Sequence, residues 1–194
     1  MVDKFCENTV YEDLKLENER IEDYEFYDCT FKNCTIEECV LFHCSFIECR
    51  FIKCKVVSIK AVFSQIKYAE FEQCNLIGVN WHDLLPTGNI AHPISQLKDC
   101  FLKYNSFIHM NLRKFNFSLN SIQDSVFDEC NLVENMFKKC RLESTQFSRC
   151  DMRKADFREA TGYQISITTN KLKEAKFSFP EALNLLGELG IKID

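Results

Sequence analysis

A large apolar residue recurs at every fifth position of this chain, and a period of five excludes most folds. In CTFKN-CTIEE-CVLFH-CSFIE-CRFIK-CKVVS, Cys29, Cys34, Cys39, Cys44, Cys49 and Cys54 stand five apart. Each is followed two residues later by Phe31, Ile36, Leu41, Phe46, Phe51 or Val56. With that residue taken as the centre of each step, the register runs back to Leu16 and forward to Trp81 without a slip. After a break it resumes at Leu97, holds to Phe157, and returns at Leu172 and Phe177. Five matches neither the helical stripe of 3.6 residues nor unbroken strand alternation. It matches a short extended piece followed by a corner, with the centre and the residue two before it pointing inward.

The residue types obey that geometry. Beyond the cysteine run, the inward site two before the centre holds small residues, among them Ser64, Ala69, Cys74, Cys100, Ser125, Cys130, Thr145 and Ala155. Asn105, Asn120, Asn135, Met110 and Phe115 are exceptions. Outward sites carry charge, as at Lys32, Glu37, Asp128 and Lys138. A chain with 18 Phe and only 5 Gly that must turn at every step needs a corner other than the glycine-dependent hairpin type.

Composition places the chain among soluble globular proteins, with 46% hydrophobic residues and a net charge of -5 over 194 residues. No apolar run is long enough to span a membrane, and the start of the chain lacks a secretory layout, so a cytoplasmic protein with reduced thiols is expected.

Ala155-Asp156-Phe157-Arg158-Glu159 matches, letter for letter, the motif of a small residue, a polar residue, Leu or Phe and two variable residues. CNLIG from Cys74 and CNLVE from Cys130 nearly match it. Over residues 14 to 177 the chain resembles the pentapeptide-repeat family. The resemblance implies an all-β, right-handed quadrilateral β-helix with four steps per coil, about eight coils in all. It also implies interior ladders such as Phe31, Phe51 and Phe71, or Phe107, Phe127 and Phe147. The β-helix is expected over 1–178, interrupted by a loop at 82–94, with a C-terminal helix and tail over 179–194.

That tail resembles the quinolone-resistance (Qnr) branch, in which a final coil leads into a short helix that joins two rods. Local signals agree with a short α-helix: Ser178 and Glu181 read as a capping box, Pro180 lies in the first turn, and Gly187 or Gly190 ends it. Leu183, Leu186 and Leu189 are the expected homodimer contacts. The resemblance further implies a non-catalytic, DNA-mimic-like binder of DNA gyrase or topoisomerase IV that gives quinolone protection. The alternatives are a protein–protein scaffold for another partner and a thiol or metal role for stacked cysteines.

Catalytic, cofactor and metal sites are not expected. A filled interior leaves no substrate cavity, and no phosphate loop or H-E-x-x-H occurs. Cysteines five apart face different walls, unlike zinc pairs two to four apart, so they read as small buried fillers. His43 and Cys44 point apart, which argues against a nucleophilic dyad. The break supplies candidate partner contacts at Asp83, Leu84, Leu85 and Asn89, or is an insertion folded back on the rod. Phe42, Ile52 and Val62, just after their centres, form an expected exposed apolar patch, covered by the chain itself or by a partner. Residues 1 to 24 hold eight acids and three bases, which leaves a neutral body. That body leans basic over 138–158 and lacks a nucleic-acid-reading motif, so direct nucleic-acid binding is not expected.

Overall fold

The computed structural model describes residues 4–85 and 92–189, the last two of these by their backbone alone. It is an all-β solenoid of about eight turns with one short C-terminal helix. The chain divides into two compact units, residues 1–105 and 106–194.

In the first unit, three-residue strands stack in parallel on four walls, each step returning to its wall after 20 residues. Phe5–Glu7, Glu25–Tyr27, Ser45–Ile47 and Gln65–Lys67 form one wall. Val10–Glu12, Thr30–Lys32, Arg50–Ile52 and Ala69–Glu72 form the next. Lys15–Glu17, Thr35–Glu37, Lys55–Val57 and Asn75–Ile77 form the third. Arg20–Glu22, Val40–Phe42 and Lys60–Val62 form the fourth. The break is absorbed within one coil: Ile94–Lys98 pairs with Ala69–Glu72 so that Leu97 lies opposite Phe71. That spacing is six residues longer than the regular step.

Each corner is made by the residue two after the centre, held at positive φ from Asn8 through Gln73 in the first unit and from His109 through Glu159 in the second. This answers how the chain turns with so few glycines. The first six corners, Asn8, Asp13, Asn18, Asp23, Asp28 and Asn33, are the residue types that tolerate left-handed backbone best. Corner N–H groups then donate to the next coil, as Asp28 to Ile47 O at 2.9 Å and Asn33 to Ile52 O at 3.0 Å.

The second unit uses two kinds of corner. One wall keeps extended strands, with Phe107 opposite Phe127 and Phe127 opposite Phe147. On others the centre carbonyl accepts from the N–H three residues on, as Leu112 from Phe115 at 3.1 Å, Phe137 from Cys140 at 3.0 Å and Met152 from Ala155 at 3.1 Å. There an Asn or Asp just before the centre accepts from the N–H just after it: Asn116 from Ser118, Asn131 from Val133 and Asp156 from Arg158. The Asp of the motif at 155–159 is therefore a turn-former.

Both expected aromatic ladders are present. Phe31–Phe51 and Phe51–Phe71 stack at 4.9 and 4.8 Å, and Phe107–Phe127 and Phe127–Phe147 at 4.4 and 4.9 Å. A further ladder runs through Phe117, Phe137, Phe157 and Phe177, and its rings meet the Phe127–Phe147 ladder edge-on. Such contacts contribute about 0.5–1.5 kcal/mol per pair beyond area burial.

The small inward side chains are hydrogen-bonding groups as well as fillers. Cys34, Cys54 and Cys74 thiols donate to the carbonyls of Tyr11, Phe31 and Phe51, centres one coil earlier, at 3.5, 3.3 and 3.2 Å. Thr145 donates to Ile122 O at 2.8 Å, and Asn105 to Leu76 O at 2.7 Å. Asn170 donates to Phe147 O and accepts from Cys150 N, both at 2.8 Å. Asn105 and Asn170 thus do what the cysteines do, whereas Asn120 donates to Phe117 O three residues before it and Asn135 Oδ1 accepts from Phe115 N. All twelve cysteines are free thiols, and all but half-buried Cys6 are buried. Burial pushes Cys49 and Cys140 up to about 12 and raises Cys29 and Cys44 as well, which keeps the S–H donors protonated.

Native thiol titration should therefore register Cys6 alone at neutral pH and twelve thiols after denaturation. Burial holds the Cys29, Cys44, Cys49 and Cys140 thiols above the value of an unfolded cysteine, about 8.5, so at these four positions the unfolded chain sheds its proton first as pH rises. Thermal melts should show stability intact below about pH 8 and falling toward pH 10. At Gly162, φ is +73° and an added Cβ lies 2.8 Å from Glu143 Cα, so Gly162→Ala should cost more than about 2 kcal/mol. Gly187→Ala, with open space, should cost nothing or stabilise by about 0.5–1 kcal/mol in denaturant melts.

Candidate functional site

The start of the break folds back on the first unit. Trp81–Leu84 is a single helical turn, with Trp81 and Leu84 buried. The Trp81 indole N–H donates to Asn105 Oδ1 at 3.0 Å. Asn80 Nδ2 donates to Asp83 Oδ2 at 2.8 Å, which fixes the exposed Asp83. Of the candidate contacts in the break, Leu84 is a core residue, Leu85 is half-buried and Asp83 faces solvent. Asn89 lies outside the described residues.

The expected apolar patch is not one patch. Val62 pairs with Phe42 on one wall, whereas Ile52 pairs with Lys32 and Glu72 on another. Neighbours five apart in sequence turn a corner, so the sequence-adjacent strip is wound around the solenoid. Phe42 and Val62 are half-buried, and Phe42 is covered by the Arg20 guanidinium of the preceding coil, 4.0 Å from the ring centroid. The exposed group on this wall is Phe63, 79% accessible at a corner with φ 51°. His43 lies between, 4.2 Å from Phe42 and 5.2 Å from Phe63, with Nδ1 3.5 Å from Asp23 Oδ1. Sequence spacing located Phe42 and Val62 but not the Arg20 and His43 that frame them, because those contacts cross between coils.

Acidic charge is concentrated on the first coil. Glu7, Glu12, Glu17 and Glu22 occupy the same position of successive steps, one on each wall. Glu22 is paired with Arg20 at 3.1 Å, and corner Asp23 with Lys4 at 3.3 Å. The basic lean over 138–158 is largely neutralised locally. Arg149 bridges Asp128 and Glu129, Arg153 holds Asp151 at 2.7 Å, and Arg158 holds Asp156 at 2.6 Å. The arginines hold Asp151 and Asp156 below the usual carboxylate range.

Glu181–Leu189 forms the C-terminal helix, wound more tightly than an α-helix. The expected capping box is not made. Ser178 Oγ instead accepts from Glu159 N of the coil before, and Glu181 Oε2 accepts from Gly162 N and Asn184 Nδ2. Both side chains anchor the helix to the last coils, a tertiary use that outcompetes the local cap. Leu183 and Leu186 are half-buried, and the Leu189 side chain lies outside the described residues. No cluster of three or more metal-ligating side chains occurs among the described residues.

The family described as pentapeptide repeat region matches residues 8–87 and 95–177. No curated protein matches the sequence. Among solved structures, the chain is similar to full-length QnrB1, a plasmid-mediated fluoroquinolone resistance protein. That match has 16% identity and a TM-score of 0.48 and covers 94% of this chain and 100% of that one. It is also similar to HetL, a pentapeptide repeat protein involved in heterocyst differentiation regulation from the cyanobacterium Nostoc sp. strain PCC 7120. There the identity is 11% and the TM-score 0.34, with 88% of this chain and 85% of that one covered. With both repeat blocks matched on either side of the break, the chain belongs to the pentapeptide-repeat family.

Proposed function

We propose that this protein is a non-catalytic cytoplasmic binder of DNA gyrase or topoisomerase IV, presenting carboxylates where these enzymes receive DNA and so giving quinolone protection. The observation that supports it is the regular placement of Glu7, Glu12, Glu17 and Glu22 around the first coil. A surface that binds duplex DNA recognises closely and evenly spaced negative charge. Each of these carboxylates stands on its own wall of one coil, on strands fixed by parallel pairing, so their positions are held without conformational cost on binding. The four-walled interior leaves the surface as the place where function resides.

A second reading, a scaffold for another protein partner, rests on Phe63. Asn or Asp would occupy its corner with less strain and no exposed ring, so a phenylalanine there favours a contact role.

Supercoiling assays with purified gyrase and ciprofloxacin discriminate the two. Micromolar protein should restore supercoiling, Glu7→Gln with Glu12→Gln and Glu17→Gln should weaken the effect at least tenfold, and Phe63→Asn should leave it unchanged. No protection by the parent chain would sink the topoisomerase reading. Loss in Phe63→Asn alone would favour the contact wall.

We further propose a homodimer through Leu183, Leu186 and Leu189. Leu183→Asp with Leu186→Asp should halve the sedimenting mass without changing the thermal transition of the solenoid. A monomeric parent would refute it.

A further inference from the structure

The interior of the first unit, expected to be filled throughout, is not. Centre positions along it carry Leu41, Phe46, Phe51, Val56, Ile66, Phe71 and Trp81, but position 61 carries alanine. Ala61 stacks on Leu41 in the wall register and lies between Val56 and Ile66 in the winding. Ile59 occupies the inward site of this step, which holds cysteine in the six steps before it. A cavity of about 40 Å³ remains, lined by Leu41, Val56, Ile59, Ile66, Leu76 and Trp81 among other apolar side chains.

We propose that this cavity is a binding site for one small nonpolar molecule without hydrogen-bonding groups, of one to three heavy atoms, such as dioxygen or a short alkane. The lining offers water nothing. Every lining side chain is apolar, and the one N–H among them, on Trp81, already donates to Asn105. A buried water needs two to four polar partners, so water is excluded on chemistry although the space admits it; about 10–15 Å³ suffices for one water. The volume also sets an upper limit, being well under the roughly 150 Å³ of an apolar cavity that takes benzene. A nonpolar occupant regains the dispersion contacts that the wall atoms lack on their open side.

Xenon is the probe. With the full chain under xenon pressure, methyl resonances of Leu41, Val56 and Ile66 and the indole N–H of Trp81 should shift saturably, and the melting temperature should rise. Val56 lines the cavity, so Val56→Ile should raise the melting temperature without xenon by about 2–4 °C and weaken the saturable shifts at Leu41 and Ile66. The proposal is overturned if parent resonances show no saturable shift at these groups, a result that needs no variant to fold. It is equally overturned if Val56→Ile folds and leaves the shifts unchanged, or if magnetisation transfer from water reaches the Leu41 and Ile66 methyls.

Discussion

Everything in this fold depends on giving the backbone partners at corners that repeat every five residues. A strand of three residues makes too few ladder bonds to stand alone, and each corner turns polar peptide groups toward an apolar interior. At many steps the side chain two before the centre resolves this. Its S–H, O–H or N–H donates to a centre carbonyl one coil back, as Cys54 does to Phe31 and Thr145 to Ile122, and its acceptor takes the N–H of the same column, as Ser64 Oγ does from Cys44. An unmet buried peptide group costs on the order of 1–3 kcal/mol, so a small donor at these steps stabilises the stack, while Ala69 and Ala155 fill the site without one. The cysteines donate at low desolvation cost, because a thiol is a weak donor that also packs as a hydrophobe.

Once coils are tied in this way, like stacks on like. Phenylalanines twenty residues apart meet face to face, and in the second unit two ladders meet edge to face, which leaves each ring in the two geometries its quadrupole favours. A core of this kind has few alternative packings, so the surface side chains sit on a rigid frame. Charged and aromatic side chains on the walls are thereby held at set positions. The cavity lined by Val56, Ile66 and Trp81 is correspondingly fixed rather than collapsed.

Much of the fold was legible because its information is local. The period of five, the inward pair at each step and the acid-rich first coil follow from residues a few positions apart. Phe31, Phe51 and Phe71 fall on one ladder once the resemblance to the family sets four steps per coil. The candidate surfaces were less legible. Phe42 and Ile52 are ten residues apart and read as neighbours, yet they stand on different walls because each five-residue step turns a corner. Ser178 and Glu181 carry a local capping signal, but Glu159 N and Gly162 N compete for them from the coil before.

Sequence by itself determined the solenoid, its register, the inward role of the cysteines and the family, since strand alternation and corner spacing are properties of adjacent residues. Only the tertiary structure decided how six extra residues fit within one coil, which wall carries Phe42 with Phe63, and where the capping side chains bind. It also showed that Asn105 and Asn170 serve the same purpose as the cysteines. These outcomes depend on contacts about twenty residues apart, where stacked coils bring unrelated segments together and long-range hydrogen bonds outweigh local preference.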